Sequence, residues 1–331
     1  MNRLNNRNTR IGRAQAGIGL VEVMIALLLG IGILWVITEV AANNSLTRYE
    51  MDRAGRQIEN ATYAMQVLET EMVSVGFWGE AGEQPAGAAL PPVCPGLGVD
   101  LDAAADEITA ALGYPVQGED PDGSICVAAK AGTEFLALRR AASCASGAAG
   151  CGAADDNFHM QVNACFVPDD DTALLPGAIA VDHDLAELSM TQRDCATEAP
   201  EYRFMSRVYF VNASDQLVRA ELVGNGEADY VETVLVDGVE MLRFEYGLDT
   251  DNDGQVDTNT NAPAGTEWAD VALVRVWLVV RSADPSTGYE DERNYTLAGA
   301  AYNVPNALLG FRREVFIRTI SLRNVAGRRE S

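Results

Sequence analysis

The densest run of side chains with chemical potential lies at residues 249–257. Asp249, Asp251 and Asp253 alternate, Gly254 and Gln255 follow, and Asp257 closes the run. Alternate residues of a tight loop direct oxygens at one centre, and glycine permits the sharp turn. Calcium takes about 6–8 hard oxygens, so these carboxylates with an oxygen from Gln255 read as a calcium loop. The twelfth position is Thr260 rather than a bidentate acid, so Glu267 or Asp270 must complete the shell. The competing reading is a solvated Asp/Asn/Gly turn. Carboxylates this crowded repel one another unless a cation or open solvent separates them.

A second notable carboxylate is Glu22. It is the one charged residue in residues 20–37. An acid in an apolar segment is costly and is retained when it has a partner or a task. The run is long enough for one membrane crossing, which needs ~20 apolar residues. Residues 1–15 carry Arg3, Arg7, Arg10 and Arg13 and no acid, which assigns that end to the cytoplasm. A secretory signal peptide has a shorter apolar core of ~7–15 residues, with its small residues after the core rather than before it. An ordinary signal anchor explains the arginines but not Gly17-Ile18-Gly19-Leu20-Val21-Glu22.

Catalytic signatures are missing from the sequence. There is no Gly-x-Ser-x-Gly, Walker A or His-Glu-x-x-His segment. The two histidines, His159 and His183, stand in unrelated contexts. They read as surface or strand residues, and Asp182-His183-Asp184 is at most a weak cation site. Asp169-Asp170-Asp171 reads as exposed loop. The net charge of −24 opposes binding to nucleic acid, which relies on Lys and Arg neutralising phosphates. A small-molecule substrate is not expected either.

The elements that must position these groups follow from periodicity. Residues 45–75 place Leu46, Tyr49, Ala54, Ile58, Ala61, Met65, Leu68, Met72 and Val75 mostly three and four apart, the pattern of a helix with one buried face. No proline interrupts residues 18–75, so one helix of ~55–60 residues is expected, membrane-embedded first and amphipathic after. Gly76-Phe77-Trp78-Gly79 ends it. A short helix is expected over 103–112, and strands at 134–139, 158–166 and 177–182. Tyr202–Val211 and Gln216–Val223 read as a hairpin, with further strands at 230–236, 239–246, 271–281 and 314–323. The unbroken apolar run 271–280 reads as a central strand buried on both faces.

Six cysteines, Cys94, Cys126, Cys144, Cys151, Cys165 and Cys195, fall within residues 94–195. An even count in loop-like sequence beyond a membrane anchor points to disulfides in an oxidising compartment. Connectivity does not follow from spacing alone; sequential pairing is the expectation, with local support only for Cys144–Cys151, whose Gly-containing spacer closes a small loop.

The amino-terminal residues resemble the class III signal of type IV prepilins and pseudopilins. That signal is a basic leader ending in Gly, then a hydrophobic helix with Glu at the fifth mature position. A cut between Gly17 and Ile18 makes Glu22 that residue; the family more often places Phe or Met where Ile18 stands. Gly238-Val239, Leu242, Phe244 and Tyr246 are similar to a segment of PilW-type minor pilins and the related J-type pseudopilins. Residues 274–282 resemble their central strand, and residues 312–324 resemble the PilW-type terminal strand ending in Arg323-Asn324.

The resemblance implies a pilin-like α+β fold, with a long N-terminal helix packed on an antiparallel β-sheet domain carrying a disulfide-tied insertion. The expected divisions are a leader at 1–17, a transmembrane half-helix at 18–41, an amphipathic half at 42–79, a cysteine-containing variable region at 80–200 and a C-terminal β domain at 201–331. It further implies cutting by prepilin peptidase, N-methylation of Ile18, and anchoring in the inner membrane with the C-terminal domain in the periplasm. Glu22 would neutralise the new amino terminus of a neighbouring subunit. Other minor pilins and the major pilin are the implied partners in a complex that primes the type IV pilus, at its tip. The alternatives are a J-type pseudopilin of a type II secretion system, or a membrane-anchored calcium-dependent adhesin or enzyme.

Overall fold

The computed structural model describes residues 17, 19–119, 126–167, 174–224 and 226–329. Helix α1 runs Leu20–Ser74, 55 residues. The chain divides into two compact units, residues 1–52 and residues 53–331.

In the first unit the apolar surface of the helix is exposed. Leu20, Leu28 and Trp35 are all exposed. Among the described residues this is the one helix long and apolar enough to cross a membrane. Its hydroxyls are satisfied within the helix: Thr38 Oγ1 donates to Leu34 O at 2.7 Å and Ser45 Oγ to Ala41 O at 2.9 Å. Such back-bonding suits a setting without water.

In the second unit α1 is packed from Arg53 onward. Ala61, Ala64, Met65, Leu68, Met72 and Val75 are buried. Nearer Arg53 the expected stripe is displaced: Ile58 is 53% exposed and Ala54 is exposed, whereas Arg53 and Gln57 are buried. Gln57 Nε2 donates to Val280 O at 2.5 Å and reaches Arg312 O at 3.4 Å. The surface met there presents backbone carbonyls, so an amide is the better filler. Tyr49 is also exposed, at 52%. Gly76 ends the helix with φ +71°. Asn324 then supplies its cap from the far end of the chain. Its amide donates to Val73 O at 3.3 Å and Val75 O at 3.1 Å, carbonyls that a helix end leaves without partners.

Helix α2 is Leu101–Ala111, with the Asp100 side chain accepting from Ala103 N. Seven strands follow in one sheet: β1 (Val116–Gln117), β2 (Leu136–Ala141), β3 (His159–Val162), β4 (Ile179–Asp182), β5 (Tyr202–Val211), β6 (Gln216–Val223) and β7 (Asp229–Asp237). Their order is β1-β2-β5-β3-β4, and β6 pairs with both β5 and β7. Next come β8 (Val239–Leu248), β9 (Thr258–Thr260), β10 (Val271–Arg281), β11 (Tyr295–Leu297), β12 (Ala300–Tyr302), β13 (Arg313–Ser321) and α3 (Arg323–Arg329). A second sheet has the order β13-β10-β8-β9, and β11 and β12 form a hairpin. The architecture is α+β: a long N-terminal helix, antiparallel sheets and three disulfides.

Two differences from the sequence reading matter. The first concerns residues 80–200. β2 pairs with β5 from Leu136↔Tyr209 to Ala141↔Phe204, and β3 pairs with β5 as well. The cysteine-bearing stretch is therefore part of the sheet that continues past residue 200. The reason is β5 itself, which alternates between two cores. Tyr209 and Val211 belong to the core containing α1; Phe204, Val208 and Phe210 belong to the core containing α2. A strand apolar on both faces needs cover on both.

The second concerns β10. It is central in its sheet; Val274, Val276, Leu278 and Val280 are fully covered along one face, against α1, with Val271 and Ala272 buried at its start. On the other face Leu273, Arg275 and Trp277 are half-buried. Only Val279 is buried there, packed with Tyr295 and Leu297 of the β11–β12 hairpin.

The loop bearing that hairpin is held by buried charge. Arg313 Nε and Nη2 grip Glu240 at 2.5 and 2.9 Å. Arg313 Nη1 lies 3.3 Å from Asp291 Oδ2, which also accepts from Tyr295 Oη at 2.7 Å. Burial alone would raise the Asp291 carboxyl, but hydrogen bonds from Arg293 and Tyr295 outweigh it and hold it at about 2. A depressed carboxylate stabilises the fold above its unfolded pKa of ~3.9 and ceases to do so as pH falls through the folded value. Between about pH 4 and pH 2 the wild type should therefore lose stability steadily, and Asp291→Asn should flatten that slope in thermal melts. Arg313→Met leaves the buried Glu240 carboxylate without its ion pair and should cost about 3–5 kcal/mol in urea unfolding at neutral pH.

Candidate functional site

The aspartate loop joins β8 to β9. Its anchor is Asp249, which is fully buried. The Asp249 amide donates to Asp270 O at 2.8 Å. Its carboxylate accepts from Asp253 N at 3.1 Å and Gly254 N at 3.0 Å. Asn252 at φ +60° and Gly254 at φ +86° fold the chain back over it, a conformation Asn and Gly tolerate best. Val256 then lies so close to Gly247 that a Cβ there would sit 2.8 Å from its methyl.

Three of the sequence candidates converge. Asp249, Asp251 and Asp257 each place a carboxylate oxygen within 4.8 Å of the others, a group that could hold a metal ion. Asp253 does not join them: it accepts from the Gln255 amide at 2.8 Å and from Gln255 Nε2 at 3.1 Å. Glu267 is also spent: it accepts from Ala264 N at 2.9 Å and caps the 3-10 turn at Gly265–Asp270. Asp257 Oδ2 accepts from Thr250 Oγ1 at 2.7 Å and Thr250 N at 2.8 Å. Those bonds, the hydroxyl's first, hold the Asp257 carboxyl below the usual range. The rest of a metal's shell would fall to loop carbonyls and water.

At the other end of the chain, Glu22 lies in the first turn of α1. It is exposed, as is the apolar surface around it. Among the described residues no side chain reaches its carboxylate. Gly17 is described; Ile18 and the leader residues before Gly17 lie outside the described residues, as does Asp169-Asp170-Asp171.

The six cysteines form three disulfides: Cys94–Cys126, Cys144–Cys151 and Cys165–Cys195. The histidines have local roles. His159 is buried in β3 with Nδ1 2.8 Å from Asn157 O. Asp182 and Asp184 accept from Asp184 N and Ala186 N, so Asp182-His183-Asp184 is a turn.

Sequence reasoning missed Arg139, the largest fully buried side chain. Its guanidinium donates to the carbonyls of Tyr114, Pro92 and Val93 and to Gln117 Oε1 at 2.6–3.1 Å. Burial pulls its pKa down to about 10, so it stays charged at neutral pH. It fastens the stretch beside Cys94 to β2. No local signal marks it, because its partners are carbonyls.

Residues 208–324 match the family model described as type IV pilus-assembly protein W. The match runs from the middle of β5 to Asn324, the residue that caps α1. No curated protein matches this chain. Among solved structures, a type IV-like pilin from Thermus thermophilus is similar at 14% identity and a TM-score of 0.33. That alignment covers 82% of this chain and 98% of the other.

Because Asp249 takes two amides in a buried position, its truncation should unfold the loop whether or not a cation is present. Asp249→Ala should cost about 1–3 kcal/mol in chelator-treated protein, whereas Asp257→Ala at the exposed end should cost less. Urea unfolding of the two variants checks the ranking.

Proposed function

We propose that this chain is a minor pilin of the PilW type. Prepilin peptidase cuts it between Gly17 and Ile18, and Ile18 is N-methylated. Residues 18–41 hold it in the inner membrane, with the domain from residue 53 in the periplasm. It joins other minor pilins and the major pilin in a complex that primes the type IV pilus and stays at its tip. The work is association rather than catalysis.

One joint observation carries this reading. The segment matched to the pilus-assembly family, residues 208–324, belongs to the same chain as an exposed apolar helical run whose one charge over residues 20–37 is Glu22. An anchor alone needs no acid at that position, since an unpartnered carboxylate in lipid is costly. A charge that waits for a neighbouring subunit's amino terminus makes that cost useful. On the aspartate loop, the reading adds calcium. Carboxylate and carbonyl oxygens suit a hard cation, and the convergence of Asp249, Asp251 and Asp257 leaves like charges for it to neutralise.

The two parts have separate tests. Gly17→Val should leave the leader attached, visible as the unprocessed mass in membranes, and should abolish complementation of piliation in cells lacking the gene. Glu22→Ala should be processed normally yet fail to assemble. Normal piliation with the leader retained would sink the pilin reading. For calcium, a saturating excess of about 100-fold over Kd should stabilise by ~2.7 kcal/mol, seen as a melting-point rise. Chelator should remove that rise and Asp251→Ala should lack it. A wild-type melt indifferent to calcium refutes the cation.

A further inference from the structure

Each of the two main sheets ends on a nine-residue strand with one side unused. β7 (Asp229–Asp237) pairs only with β6, and β13 (Arg313–Ser321) pairs only with β10. Among the described residues, the outer sides of residues 230–236 and 314–321 receive no further backbone hydrogen bond. Such edges template the addition of another strand. Most proteins blunt them with bulges or charge. β13 runs against β10 in unbroken register, and β7 is regular from Asp229 to Val234, with its one irregularity beyond.

Both edges expose β-branched side chains: Val231 at 50%, Val234 at 52% and Ile317 at 52%. β7 carries only acids, Asp229, Glu232 and Asp237, whereas β13 exposes both Glu314 and Arg318, with Arg323 just beyond, and its Arg313 is buried against Glu240. Among the described residues Glu232 has no ion-pair partner. Arg318 holds Glu69 through Nη2 alone, at 3.1 Å, and is half exposed, which leaves its other nitrogens available.

We propose that β7 of one copy of this chain pairs antiparallel with β13 of a second copy. Full overlap of the two strands sets Glu232 opposite Arg318, Thr233 opposite Ile317 and Val234 opposite Phe316. Opposite charges and β-branched or aromatic pairs placed face to face are what stabilise neighbouring strands. Self-pairing is less favourable. Two β7 strands in full overlap set Asp229 against Asp237, a like-charge pair, and two β13 strands gain no ion pair. The contact uses different surfaces on the two partners, so each copy keeps one free edge and a further copy can add. The inference does not depend on the pilus reading.

The test uses the full chain in detergent under mild oxidation, because every native cysteine is already paired. A mixture of the Thr233→Cys and Ile317→Cys proteins should give a cross-linked dimer, and neither protein alone should do so. Glu232→Arg or Arg318→Glu in those backgrounds should abolish the band, and combining both reversals should restore it. Thermal melts of each variant confirm folding, since all four positions are exposed. Cross-linking of Ile317→Cys with itself would assign the edge to β13 self-pairing and overturn the proposal. Absence of the mixed dimer, or a dimer indifferent to charge reversal (as membrane-helix association would give), overturns it too.

Discussion

The interaction on which the folded domain depends is the seating of α1, from Gln57 to Val75, against the covered face of β10 and its neighbours. Ala61, Met65, Leu68 and Met72 fill the groove with Val274, Val276 and Leu278. Small and flexible side chains suit a helix laid along a pleated surface, because they fill irregular gaps without strain. The seat is fastened at both ends by amides rather than by apolar bulk. Gln57 satisfies carbonyls at one end and Asn324 does so at the other. Glu71 adds a lateral tie to Arg207 of β5 at 2.6 Å. Burial opposes that charge, but Arg207 and Arg140 outweigh it and keep the Glu71 carboxyl low.

Buried charge then organises the parts that α1 does not touch. Arg139 gathers carbonyls from the stretch before α2, and Arg313 binds the loop of residues 282–312 to β8 through Glu240. Neither arrangement adds much net stability over apolar packing of the same volume. What each provides is geometry, since a guanidinium fork accepts only a few positions of its partners. Three disulfides brace the same stretches that carry little apolar surface. Cys165–Cys195, for example, ties the end of β3 to a tight turn at Cys195, φ +55°.

The polar surfaces divide by purpose. The aspartate loop folds around its own backbone amides, so it needs no ion to have a shape, yet three carboxylates still face one centre. The outer edges of β7 and β13 are the reverse case. Their shape is complete, but among the described residues their outer backbone groups have no backbone partner, and Glu232 has no ion pair. In the membrane-length half of α1 the apolar surface is left exposed, and Glu22 is the single charge of residues 20–37.

Much of this was legible in the sequence because it is local. The uninterrupted helix, its stop at Gly76, the β5–β6 hairpin, the antiparallel strands and the aspartate spacing depend on neighbours a few residues apart. The PilW-like segments are likewise contiguous. What only the tertiary structure decided involves partners far apart in the chain. The stripe of α1 shifted from Ile58 to Gln57 because the surface met there is carbonyl. β5 contributes to a core on each face, because α2 and the 80–200 stretch cover the side that α1 does not. Asp253 stands outside the converging carboxylates because Gln255 engages it, and Glu267 because it caps a turn. Spacing says which side chains can meet; competition for hydrogen bonds decides which do.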